Sequence, residues 1–157
     1  MFDNLNPIFR NELPKKTEPK KQQRKTRSDK RHTARFPVDL HLQGDFKRSL
    51  NRFKRNYPDL EIKQTKYNTL LLLYALNNPE IVRWDMDYKD SDTYMTTKLL
   101  KTKFEEIGGD YGIAINKGMS WRKAVFMMAV SALHYIEKGG YYDEVFQQIQ
   151  FDQVQTK

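Results

Sequence analysis

The chain has 157 residues, 38% of them hydrophobic, with a formal charge of +8 at neutral pH, enough for one modest core plus a tail. The absence of cysteine excludes disulfides, zinc–thiolate sites and thiol catalysis, and fits a reducing compartment. No apolar run reaches bilayer length, and the N-terminus passes from Phe2-Asp3-Asn4 into lysine-rich sequence without a secretory signal, so a cytoplasmic protein is expected.

The charge is concentrated at one end. Residues 1–35 hold 11 Lys/Arg against 4 acids, whereas the remaining 122 residues hold 17 against 16. Residues 1–30 are therefore expected to form a disordered basic arm. Its cations Lys15, Lys16, Lys20, Lys21, Arg24, Lys25, Arg27 and Lys30 are suited to phosphate groups. Ahead of them Phe2, Leu5, Ile8 and Phe9 recur near helical spacing beside Arg10. Two readings are open for this stretch: a frayed terminus, or a short motif that folds on a partner protein with the arm as tether.

Arg31-His32-Thr33-Ala34-Arg35-Phe36-Pro37 alternates with a period of two. As a strand it sets Arg31, Thr33 and Arg35 on one cationic face and His32, Ala34 and Phe36 on an apolar one. Pro37 ends it for want of an N–H. A helix is expected next, capped by Asp39, with Leu42, Phe46, Leu50 and Phe53 on one face and an end at Pro58. A second helix, starting near Thr65 and reaching Asn77, has leucine on nearly every side at 70–73 and should be buried.

Beyond an acidic connector, Asp85 to Asp92, the order repeats. Thr93 to Leu99 reads as a strand with Tyr94, Thr96 and Lys98 on one face. Leu100, Phe104 and Ile107 mark a short helix stopped at Gly108-Gly109, and Gly112 to Gly118 reads as a loop. Ser120 caps a strong helix, Trp121 to Glu137, that Gly139-Gly140 stops; Thr65 would be the corresponding cap in the first unit. The tail, 141–157, holds Val145, Phe146 and Ile149 at helical spacing.

The segment from Arg31 to Leu40 followed by two helices resembles the ribbon–helix–helix DNA-binding family, and two such units in series are expected, 31–84 and 85–140. The resemblance implies a mainly α fold with a short two-stranded antiparallel ribbon lying in the major groove. It implies base reading by Arg31, Thr33, Arg35, Tyr94, Thr96 and Lys98. It also implies phosphate contacts at the helix starts, Thr65 and Lys66 in the first unit, Ser120, Trp121 and Arg122 in the second. With two units in one chain the molecule is either a monomeric pseudo-dimer or a homodimer. Proteins similar to this act as repressors, as plasmid centromere binders or as accessory proteins at transfer origins. The last two engage a partner ATPase or relaxase, and a place on the nucleoid or a plasmid is expected.

Catalysis has no support in the pattern: His32, His41 and His134 lie far apart, and the glycine pairs lack a phosphate-loop lysine and serine. The acidic connector lacks the glycine and terminal glutamate of a calcium loop. Neither a metal nor a cofactor is expected, and neither is a membrane partner. Two rival readings use the arm alone, as a helical adaptor binding acidic protein or membrane surfaces, or as an RNA binder.

Overall fold

The computed structural model describes residues 30–153. Strand β1 (Arg31–Pro37) is followed by α1 (Leu40–Asn56), α2 (Gln64–Asn77) and a 3-10 turn, Pro79–Ile81. Strand β2 (Tyr94–Leu100) is followed by α3 (Lys101–Gly108), α4 (Ile113–Asn116), α5 (Trp121–Gly139) and α6 (Tyr142–Phe151). Among the described residues the fold is mainly helical with one two-stranded antiparallel sheet, and the two strands pair within a single chain.

Local chemistry explains most boundaries. Asp39 Oδ1 accepts the Leu42 N–H at 2.7 Å to start α1, whose Phe46, Leu50 and Phe53 are buried. The second helix begins one residue before Thr65, from Lys63 with no side-chain cap, so the expected Thr65 cap is not formed. Thr65 lies inside the first turn and its carbonyl accepts the Thr69 hydroxyl at 2.8 Å. Ser120 does cap α5, accepting the Lys123 N–H, and Gly140 ends that helix at φ +69°, a left-handed conformation open to glycine. The stretch expected as a loop from Gly112 to Gly118 contains α4, a single turn that buries Ala114.

The register sets Thr33 opposite Lys98, Ala34 opposite Thr97 and Arg35 opposite Thr96. Val38 N–H to Thr93 O (2.9 Å) and Lys101 N–H to Lys30 O (2.8 Å) flank the ribbon. An antiparallel ladder alternates between bonded and non-bonded pairs, so Thr96 and Lys98 turn their backbone groups away from β1. Helix α2 meets that edge. Asn68 Nδ2 donates to Thr96 O at 3.2 Å, and Lys98 N–H donates to Thr69 Oγ1 at 2.8 Å. An otherwise open sheet edge is thereby closed by side chains.

Packing crosses between the two halves of the sequence. Helix α2, from the first half, lies on β2, and α5, from the second, lies on β1; the two helices also pack on each other. Phe36, Ala34, Met95 and Leu99 from the ribbon's inner face join Leu70–Leu73 and Val125–Met128 in one continuous core. The sequence segments 31–84 and 85–140 are thus two stretches of chain sharing one core.

Asn68 is 1% exposed and also accepts from Gln64 Nε2 at 2.9 Å. Asn68→Ala would leave the Thr96 carbonyl without its side-chain donor. We expect a loss of about 1–3 kcal/mol in urea unfolding, against less than about 0.5 kcal/mol for Asn51→Ala on exposed α1 surface.

Candidate functional site

The outward face of the ribbon carries Arg31, Thr33 and Arg35 from β1 and Tyr94, Thr96 and Lys98 from β2. Thr33, Arg35, Tyr94 and Lys98 are exposed, and Arg31 and Thr96 are half-buried. All six side chains singled out as base readers therefore share one surface, with three cations and no acid among them. They are held differently. The Arg35 guanidinium stands over the Tyr94 ring, 4.9 Å from its centroid, a cation–π contact that orients the arginine without occupying its donors.

Arg31 leans across β2 instead. It donates to Lys98 O at 3.0 Å, to Asp152 Oδ1 at 2.8 Å and to Asp152 O at 2.8 Å. Asp152, just past α6, also pairs with Lys66 of α2. One carboxylate therefore ties together the start of β1, the first turn of α2 and the end of α6.

Beside the ribbon, at the N-terminal end of α2, lies a groove of about 930 Å³. Arg31, Lys54, Lys63, Lys66 and Lys98 line it, with Glu61 as the one acid among the lining residues. Thr65 also faces it. Five cations converge there on an open surface beside a helix start, an arrangement that favours an anion. Lys54 and Lys63 were not singled out from sequence; Lys63, at the start of α2, carried a usable signal, whereas Lys54 lies in the last turn of α1 and reaches the groove only through the fold. Asp152 gave no signal, because its partners lie 121 and 86 residues away.

The second helix start is built otherwise. The Ser120 hydroxyl is engaged in capping α5. The Trp121 indole is packed edge-on against His32, with ring centroids 5.1 Å apart, and against Phe104 at 5.4 Å. Arg122 remains exposed, its guanidinium 5.2 Å from the Trp121 ring centroid. Lys30 is exposed. Phe2, Leu5, Ile8, Phe9, Arg10, Lys15, Lys16, Lys20, Lys21, Arg24, Lys25 and Arg27 lie outside the described residues.

Among the described residues no cluster of three or more His, Asp or Glu is placed to hold a metal ion, and no helix is long and apolar enough to cross a membrane. No family model, curated protein or solved structure matches the chain.

Under the ribbon, His32 stacks flat on Phe104 at 3.8 Å, and its Nδ1 is buried without a hydrogen-bond partner among the described residues. Burial, followed by the charge of Lys101, lowers its pKa below the ordinary 6.5, against an opposing pull from Glu105. A depressed histidine pKa means that the unfolded chain binds the proton first. Its stabilising contribution is complete above about pH 6.5 and is lost as pH falls through the folded value. Thermal unfolding between about pH 8 and pH 5 should therefore show a larger acid loss for the wild type than for His32→Phe. Parallel curves for the two proteins would show that His32 remains as easily protonated as in the unfolded chain.

Proposed function

We propose that this chain is a sequence-specific double-stranded DNA-binding protein that lays its intramolecular β-ribbon in the major groove, as a single-chain, tandem ribbon–helix–helix protein. The observation that carries this reading is the outward ribbon face. Two strands far apart in sequence pair in a register that gathers Arg31, Thr33, Arg35, Tyr94, Thr96 and Lys98 on one acid-free surface. A two-stranded ribbon fits the major groove, whose base edges suit arginine, lysine and threonine. The crossed packing of α2 on β2 and α5 on β1 also supports it, since each half then completes the other, as two copies would in a dimer.

The roles divide along the ribbon. Thr33, Arg35, Thr96 and Lys98 occupy its central positions and face the base edges, with Tyr94 orienting Arg35. In this reading the groove cations at α2 and Arg122 at α5 take the flanking phosphates, and the basic N-terminal segment adds sequence-independent attraction. Repression, plasmid partition and assistance at a transfer origin all use such a protein, and the N-terminal Phe2–Arg10 stretch is suited to a partner ATPase or relaxase. The adaptor and RNA readings rest on the same N-terminal charge and leave the ribbon face without a purpose.

The test is duplex binding with DNA selected from a random pool and with a scrambled control. Arg35→Ala should weaken the selected duplex by about 1–3 kcal/mol and leave the scrambled one nearly unchanged. Replacing Lys20, Lys21 and Lys25 by glutamine should weaken both duplexes alike and flatten the salt dependence, by about 0.9 in log–log slope for each lost phosphate contact. A wild-type protein that selects no duplex sequence at any salt would end this reading.

A further inference from the structure

Asp152 has a side chain with no exposure, whereas its partners Arg31 and Lys66 retain 32% and 38%. The negative charge thus lies behind and the two positive charges in front, on the wall of the groove. A buried carboxylate is tolerated only when paired, and here it has two cations and leaves a surplus of one positive charge. The pairing also overcomes the repulsion that would drive Arg31 and Lys66 apart. Asp152 itself is held in place by its own N–H, which donates to Gln148 O and Ile149 O at 3.1 Å at the end of α6. Helix α6 in turn packs on α2, with Val145 buried in the core and Asn77 Nδ2 donating to Gln148 Oε1 at 2.7 Å.

We propose that Asp152 is a positioning residue for DNA binding: it holds Arg31 and Lys66 side by side so that their remaining N–H donors close on one backbone phosphate in the groove. This rests on the DNA-binding reading above. The phosphate clamp would fix the ribbon's register on its site, because a contact with a rigid pair is made only when the duplex is seated in one way. On non-specific DNA the same cations act as loose charges, for which their relative placement is unimportant.

The test is Asp152→Asn in the full-length chain, a near-isosteric change that removes the charge holding the pair. The selected duplex should bind about tenfold more weakly, the scale of one charge-assisted contact. The scrambled duplex should bind equally well or more tightly, since one negative charge has gone, so the ratio of the two affinities falls. In the Lys66→Met background the same substitution should have a clearly smaller effect on that ratio, because one half of the clamp is already absent. A merely structural role would lower the folded fraction and weaken both duplexes by the same factor, leaving the ratio unchanged; that result overturns the proposal. Equal tightening on both duplexes overturns it too, for it would make Asp152 a competing anion. If the wild type prefers no duplex at all, the DNA-binding reading itself fails, and the clamp with it.

Discussion

The pairing of β1 with β2 is the constraint on which the rest of the molecule depends. Ala34 and Thr97 face each other although they stand 63 positions apart in the chain, and the Thr97 hydroxyl donates to Ala34 O at 3.3 Å. Closing so long a loop costs entropy that two short strands alone do not recover. The compensation comes from both sides of the ribbon. Its inner face feeds Phe36, Met95 and Leu99 into the core, and its β2 edge is closed by Asn68 and Thr69. The outer face, with its core on one side and its β2 edge occupied, is left to present Arg35 and Lys98 to solvent, while Arg31 leans across β2 to Asp152.

That arrangement makes the two ends of the ribbon unequal. At one end Arg31 is bound into a carboxylate network with Lys66 and Asp152, next to a groove lined by further lysines. At the other, Arg35 rests on Tyr94 and, among the described residues, keeps its hydrogen-bonding edge available. The helix starts differ in the same sense, with α2 opening beside five cations and α5 beside a packed Trp121 and one exposed Arg122. A two-fold dimer cannot make this distinction, because both ends of its ribbon are the same. A single chain can, and an asymmetric DNA site would be its natural complement.

Much of the scaffold was legible because its signals are local. The alternation from Arg31 to Phe36, the Asp39 and Ser120 caps, and the stripe Leu42, Phe46, Leu50, Phe53 are each set within a few residues. Thr65 misled because a threonine near a helix start resembles a cap, yet its backbone is already helical and Lys63 takes the capping place. The single turn α4 was missed because its glycines suggested a loop, whereas burial of Ala114 settles the local structure. The least legible feature was Asp152. Its value arises from a carboxylate, a guanidinium and an ammonium brought together by the packing of α6 on α2 and β1 on β2, and no sequence spacing encodes that meeting. Conversely, the face shared by Arg31, Thr33, Arg35, Tyr94, Thr96 and Lys98 was readable strand by strand, but its unity depends on a register that only the pairing fixes.

The central claim is that the ribbon's outer face is where this protein meets duplex DNA. Backbone amide shifts, followed by NMR while a selected duplex is titrated into the full-length chain, address it most directly. Concentrated changes at Thr33, Arg35, Tyr94, Thr96 and Lys98, extending to the start of α2 and with α6 beyond Val145 little affected except around Asp152, would agree with it. Changes confined to the N-terminal segment, with the ribbon amides unmoved at saturation, would contradict it.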